Sequence, residues 1–160
     1  MKNRKLSAML AGALAAAMLL MGCAAASSQA AASSSETESV EDTAMKMKIE
    51  VNGSLFTATL ADNAAVDALA DWVEEGPVTL ELSDYAGFEK VGPLGRSLPA
   101  SDSQTTTHAG DIVLYQGDQI VLFYGSNSWS YTRLGHIDDL TGWEDALGGG
   151  DVTVTLSLEG

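Results

Sequence analysis

Aromatic and cationic side chains are concentrated in two polar segments of the sequence, residues 84–103 and 125–133. Glycine and proline punctuate the first segment, which predicts a long loop that can include a short strand, and long loops often carry binding residues. In the second segment, small polar residues alternate with aromatic ones. The two segments supply flat apolar surfaces and positive charge, which is the chemistry needed to hold a peptide or a small ligand. The candidate binding residues are Tyr85, Phe88, Arg96, Trp129, Tyr131 and Arg133.

The sequence contains none of the motifs that mark nucleophilic or zinc chemistry, since G-x-S-x-G, C-x-x-C and H-E-x-x-H are all missing. The two histidines, His108 and His136, are far apart and are better explained as strand or solvent-facing residues than as metal ligands. The acidic residues between 138 and 145 lack the spacing of a calcium loop. We therefore expect no metal site and no cofactor.

Acidic residues greatly outnumber basic ones beyond the N-terminal stretch. All 22 acidic residues follow Cys23, and three of the eight basic residues precede it. Nucleic-acid binding needs a basic surface, so we expect no nucleic-acid partner. The same charge disfavours direct contact with anionic lipid headgroups. Solubility in an extracellular setting is the simplest explanation for the acidity.

The N-terminus has the layout of a secretory signal. A basic start is followed by an uncharged stretch over residues 6–22, which is too short and too rich in alanine for a membrane-spanning helix. The stretch runs into L-M-G-C and resembles the bacterial lipobox, in which the cysteine is acylated and the chain is cut just before it. Residues 1–22 are therefore interpreted as a lipoprotein signal peptide and Cys23 as the lipidation site. An ordinary secretory signal with an incidental cysteine is the alternative.

Residues 23–44 are interpreted as the lipidated cysteine and a disordered linker, because alanine, serine and acidic residues bury too little apolar surface to offset chain entropy. Two or more acyl chains anchor a protein stably. We therefore expect a protein of the cell membrane, lipid-anchored on the extracytoplasmic face and contacting the membrane through its lipid alone. The folded domain is expected over residues 45–160.

The folded domain begins with signals for a hairpin and a helix. Residues 46–51 and 55–60 form two strand patterns joined by Asn52-Gly53, a strong turn signal. A helix is expected after a capping Asp62, with one apolar stripe facing the core and Gly76 near its end. The stripe consists of Val66, Leu69, Ala70 and Val73. Alternation from Val78 then predicts a half-exposed third strand.

The most apolar part of the domain is the stretch from Gly110 to Gly125, in which Gly117-Asp118 separates two β-branched and aromatic runs. This pattern predicts a hairpin with Tyr115 opposite Ile120 and Val113 opposite Leu122. The runs do not alternate with polar residues, so we expect both faces to be covered.

The C-terminal part predicts a short strand from Arg133, a short helix with Thr141 as its cap, and a closing strand over residues 151–158. The element order becomes β-β-α-β-loop-β-β-β-α-β. This order suits a mainly β protein with a closed antiparallel barrel of about eight strands and two capping helices.

The phrases D-Y-A-G-F-E-K-V-G, G-D-I-V-L-Y and Y-G-S-N-S-W-S-Y-T-R, together with D-L-T-G-W, resemble the bacterial cyclophilin-like domain family. The resemblance extends over essentially the whole domain. It implies the cyclophilin barrel of eight antiparallel strands with two helices. Members are often secreted or lipid-anchored, and some are joined to flavodoxin-like domains, which implies a flavodoxin-like protein as a partner.

Catalytic cyclophilins isomerise prolyl bonds with an arginine in an F-H-R phrase on the third strand. The third strand here reads V-T-L-E-L-S and has no arginine. We therefore expect a non-catalytic module that binds a peptide or a small ligand. The alternative is a divergent peptidyl-prolyl isomerase that assists folding outside the membrane, with Arg96 supplying the cation if its loop folds over the barrel.

Overall fold

The computed structural model describes residues 44–159. The predicted signal peptide, the lipidation site Cys23 and nearly all of the predicted linker lie outside the described residues. Within 44–159, the chain forms nine strands and two helices, and neither helix is long and apolar enough to cross a membrane. In chain order they are β1 (Lys46–Val51), β2 (Ser54–Leu60), α1 (Ala64–Glu74), β3 (Val78–Tyr85), β4 (Glu89–Pro93), β5 (Ser103–Thr106), β6 (Asp111–Tyr115), β7 (Gln119–Phe123), β8 (Ser128–Ile137), α2 (Trp143–Leu147) and β9 (Val152–Leu158).

Eight of the described strands close into an antiparallel barrel. Their order around the barrel is β2-β1-β9-β3-β4-β7-β6-β8, and pairing of β2 with β8 closes the ring. The extra strand, β5, pairs with the N-terminal part of β8, where Thr105 lies opposite Trp129. The predicted mainly β fold, a closed barrel of about eight strands with two helices, is confirmed.

The barrel core is built from the residues that alternate inward along each strand. On β1 these are Met47, Ile49 and Val51, and β9 contributes three more apolar side chains in the same way. The apolar stripe of α1 is buried as predicted. Its cap is Asn63 and not Asp62, because the Asn63 side chain accepts hydrogen bonds from the backbone N–H groups of the first turn while its own backbone is extended.

The short helix α2 anchors to the core through Trp143, which is almost fully buried. Its indole Nε1 donates a hydrogen bond of 2.8 Å to the Phe123 carbonyl, and its ring meets Phe56 edge-on at 4.9 Å. The predicted cap Thr141 is wrong. The residue before the helix is Gly142, whose φ of 77° is left-handed and which makes no side-chain capping bond.

The hairpin β6–β7 is present, but its predicted register is wrong. Tyr115 pairs with Gln119 and Val113 pairs with Val121. The turn therefore contains three residues, 116–118, and two of them, Gln116 and Gly117, adopt left-handed φ values of 53° and 81°. Both faces are covered, as predicted: one belongs to the barrel core, and the other forms a second apolar cluster.

The strand β4 occupies part of the segment that was expected to be mainly a loop. It lies between β3 and β7 in the barrel. Its composition of Glu, Lys, Gly and Pro carries little strand signal, so its strand structure depends on the neighbours that pair with it. Glu89 and Val91 face outward over the second cluster, and Lys90 is buried on the opposite face.

Candidate functional site

A pocket of about 380 Å³ lies on the outer face of the barrel. We call it the aromatic pocket. Beneath it lies the second apolar cluster, in which Val113, Val121 and Phe123 are buried. The strands β3, β4, β6, β7 and β8 and the segment before β8 all contribute side chains to its walls. These are Tyr85, Glu89, Val91, Tyr115, Gln119, Asn127, Trp129 and Tyr131.

Four aromatic rings surround the aromatic pocket, and they differ in exposure. Tyr131 is buried, meets Tyr115 edge-on at 6.0 Å, and accepts a hydrogen bond of 3.1 Å from the Asn127 side chain. Tyr85 and Trp129 are 58% and 57% exposed. The pocket therefore has one buried aromatic side chain, Tyr131, and two exposed ones, Tyr85 and Trp129.

Glu89 is the one acidic residue among those that line the aromatic pocket. The residue is only 7% exposed, and its Oε2 is buried with no hydrogen-bond partner among the described residues. Burial raises the pKa of Glu89 to about 7, because a carboxylate loses hydration there without gaining a cation. An unpaired buried carboxyl group is costly, and such groups often mark functional sites.

The structure brings three of the six sequence-predicted binding residues together in the pocket, namely Tyr85, Trp129 and Tyr131. Phe88 lies behind them. Its ring stacks on Phe123 at 6.5 Å between centroids and meets Tyr85 edge-on at 6.1 Å. Phe88 therefore supports the pocket wall without lining it.

The two predicted arginines lie elsewhere. The Arg96 guanidinium is stacked on the Trp72 ring of α1, with its carbon 4.2 Å from the ring centroid. The Arg133 side chain is half exposed, and its Nη1 lies 3.4 Å from an Asp111 carboxylate oxygen. Neither arginine lines the aromatic pocket.

Sequence reasoning missed Glu89 as a site residue, although a signal for it exists. The turn after Tyr85 contains Ala86 and Gly87 with left-handed φ values of 53° and 75°. Interpreting A-G-F as a three-residue hairpin turn would have paired Tyr85 with Glu89, as the structure does, and two paired residues face the same side of a sheet. Within the described part of the chain, no group of His, Cys, Asp and Glu side chains is arranged to hold a metal ion.

The fold and the site define a small antiparallel β-barrel with a ligand-sized pocket on its outer wall. The cyclophilin-like family profile matches residues 49–157. The chain therefore belongs to the cyclophilin-like family.

Among solved structures, the chain is similar to the solution structure of a hypothetical protein from Archaeoglobus fulgidus. The TM-score is 0.50 at 15% sequence identity, and the match covers 72% of this chain and 95% of the archaeal one. At this identity the likeness concerns the fold alone. No curated protein sequence matches the chain.

Proposed function

We propose that the protein is a non-catalytic binding module that holds a peptide or a small ligand in the aromatic pocket. One observation carries this proposal: four aromatic side chains line a pocket together with the buried Glu89, whose Oε2 has no hydrogen-bond partner among the described residues. Ligand sites in proteins are typically apolar cavities with a few well-placed polar groups. The pocket volume of about 380 Å³ lies within the range of such sites.

The divergent prolyl isomerase is the alternative, and the side chains around the pocket favour the binding module over it. Isomerisation needs an apolar cup and a cation that weakens the amide resonance. No Lys or Arg is among the pocket-lining residues of segment 44–159. Arg96 is engaged with Trp72, and Arg133 with Asp111. A protease-coupled assay with a proline peptide tests the alternative, because turnover that disappears in Arg96→Ala would favour isomerisation.

Ligand binding is expected to change the fluorescence of Trp129, because a ligand in the pocket removes water from a half-exposed indole. A panel of short peptides and small amines and acids would be titrated against the full chain. The emission change is expected to remain in Trp72→Phe, which alters an indole outside the pocket, and to disappear in Trp129→Phe. If no compound changes the emission, or if the change survives Trp129→Phe, the pocket is not the binding site.

We also propose that the protein is held at the extracytoplasmic face of the membrane by acylation of Cys23. The L-M-G-C sequence and the basic, apolar leader support this proposal. Cys23→Ser is expected to move most of the protein from the membrane to the soluble fraction, because the acyl chains provide the anchor. Ser28→Ala, a change in the same predicted linker, serves as the control and should stay with the membrane. Unchanged membrane retention of Cys23→Ser would contradict acyl anchoring. A flavodoxin-like partner remains a prediction from the family resemblance.

A further inference from the structure

Building on the proposed function, we propose that the aromatic pocket selects an organic cation: an alkylammonium or guanidinium group, carried by a lysine or arginine side chain of a peptide or by a free amine. The proposal is that Glu89 provides the counter-charge and that the surrounding rings provide the walls. It names the chemical class of ligand for the pocket described above.

Glu89 has unused hydrogen-bonding capacity. Its Oε2 is buried and accepts no hydrogen bond from any described residue. The Asn127 amide, which also lines the pocket, donates to the Tyr131 hydroxyl and makes no hydrogen bond to Oε2 of Glu89. A ligand that donates an N–H to the carboxylate would satisfy this group, and a charged donor makes the stronger bond.

The walls of the aromatic pocket suit a cation. Tyr85, Tyr115, Trp129 and Tyr131 present π-systems to the pocket. The faces of such rings are electron-rich and attract cations, with tryptophan the best of them. An anionic ligand would meet a carboxylate and electron-rich rings and find no positively charged group among the pocket-lining residues. A simple hydrocarbon would leave the carboxyl group unpaired.

No ion pair among the described residues involves Glu89. On β4, the adjacent Lys90 is directed away and is bound to Asp84 and to the Gly150 carbonyl. The titratable groups that face Glu89 from β3, β6 and β8 are tyrosines, and Tyr124 follows β7. Burial raises the pKa of Tyr131 above its ordinary value and that of Tyr124 to about 12. Since a tyrosine ordinarily titrates near 10, Glu89 is the pocket group expected to change charge around neutrality.

This arrangement makes the affinity of the aromatic pocket for a cation dependent on pH. The pKa of Glu89 is raised to about 7, so the carboxyl group is mostly neutral below that pH and mostly ionised above it. A cation binds the ionised form. Its affinity is therefore expected to rise about tenfold between about pH 6 and about pH 8 and then to level off. A ligand that instead accepts a hydrogen bond from neutral Glu89 would bind more weakly as the pH rises.

The experiment compares two probes that differ mainly in charge, N-acetyl-lysine-N-methylamide and N-acetyl-norleucine-N-methylamide, by titration calorimetry with the full chain at about pH 8. The lysine probe is expected to bind at least about tenfold more tightly. Glu89→Gln is expected to remove most of that advantage by weakening the binding of the lysine probe. Glu50→Gln, which alters an exposed glutamate on β1, is the matched control and should bind both probes as the wild type does.

Butylamine is the third ligand in the titration, and it distinguishes a free amine from a peptide. If butylamine binds as tightly as the lysine probe, the ligand is a free amine. If the lysine probe binds clearly more tightly, the ligand is a peptide, and both outcomes support cation selection.

Near-ultraviolet circular dichroism shows whether the Glu89→Gln variant is folded. We expect this variant to be at least as stable as the wild type near neutral pH, because the substitution removes a poorly solvated carboxyl group.

Equal affinity for the two probes, a lysine affinity that falls as the pH rises, or no lysine binding at all would each overturn cation selection. These results are distinguishable from failure of the proposed function. If an uncharged or acidic compound still changes the emission of Trp129 and loses that effect in Trp129→Phe, the pocket binds a ligand that is not a cation. If no compound does so, the binding module itself is refuted.

Discussion

Gly92→Ala is expected to lower the free energy of unfolding by about 3 kcal/mol, because the barrel backbone leaves no room for a methyl group at this position. A Cβ built on Gly92 would lie 2.3 Å from the Glu81 carbonyl oxygen and 2.6 Å from Cδ2 of Leu82. The first of these atoms belongs to the backbone of the adjacent strand β3. It can move only if the strand itself moves, so a change of side-chain rotamer cannot relieve the overlap.

Gly149→Ala is the matched control for this prediction. A Cβ at Gly149 would have no atom within 4 Å, and the residue does not have a left-handed φ. It is expected to change stability by no more than about 0.5 kcal/mol. Urea unfolding followed by circular dichroism measures both variants. If Gly92→Ala and Gly149→Ala change the free energy of unfolding equally, the close approach of β3 and β4 does not require glycine at position 92.

Lys90→Met is expected to lower the free energy of unfolding by about 2–3 kcal/mol near neutral pH. The Lys90 side chain is fully buried, and its Nζ donates hydrogen bonds of 2.7 Å to Asp84 and 2.8 Å to the Gly150 carbonyl. Nζ also lies 5.2 Å from the centroid of the Tyr124 ring. Methionine fills a similar volume, but it leaves the Gly150 carbonyl without a donor and Asp84 without its counter-charge.

The decrease in the free energy of unfolding caused by Lys90→Met is expected to depend on pH. The hydrogen bond from Lys90, followed by that from the Tyr124 hydroxyl, lowers the pKa of Asp84 from its usual 3.8. A lowered pKa stabilises the fold above about pH 4, and this contribution disappears as the pH falls through the folded-state pKa. The difference between the wild type and Lys90→Met should therefore shrink in acid. Urea unfolding at neutral and acidic pH measures this change.

Lys48→Met provides the control for the buried lysine. Lys48 is a partly exposed strand lysine on β1, and no ion pair involves it among the described residues. We expect its substitution to change stability by less than about 0.5 kcal/mol. Equal losses in the two variants, or a loss in Lys90→Met that does not change with pH, would show that the Lys90–Asp84 contact adds nothing to stability.

The sequence predicted those parts of the fold that rest on local pattern. Alternation along β1 and β9 and the Asn52-Gly53 turn depend on neighbouring residues, so periodicity and turn chemistry were sufficient. The strand β4 was not predicted as such because Glu89 and Lys90 have no strand signal of their own. Their positions are fixed by pairing with β3 on one side and, on the other, with β7, which lies about 30 residues further along the chain.

The candidate site was predicted only in part for a related reason. Tyr115 and Tyr131 meet because β6 and β8 are paired, and single-residue properties do not reveal which distant strands become neighbours. Arg96 was a reasonable candidate as a cation in a loop. Its actual neighbour, Trp72, comes from a helix whose contact with that loop is not visible in the sequence.

The place of β9 in the sheet has a consequence for how the domain is made. This strand comes last in the barrel sequence, yet it lies between β1 and β3, two of the earliest strands. During synthesis on the ribosome, β1 and β3 therefore each have one strand edge without a hydrogen-bonding partner until residue 158 has emerged from the exit tunnel. Bare edges invite association with other chains, so the partly translated domain needs shielding from its neighbours during synthesis.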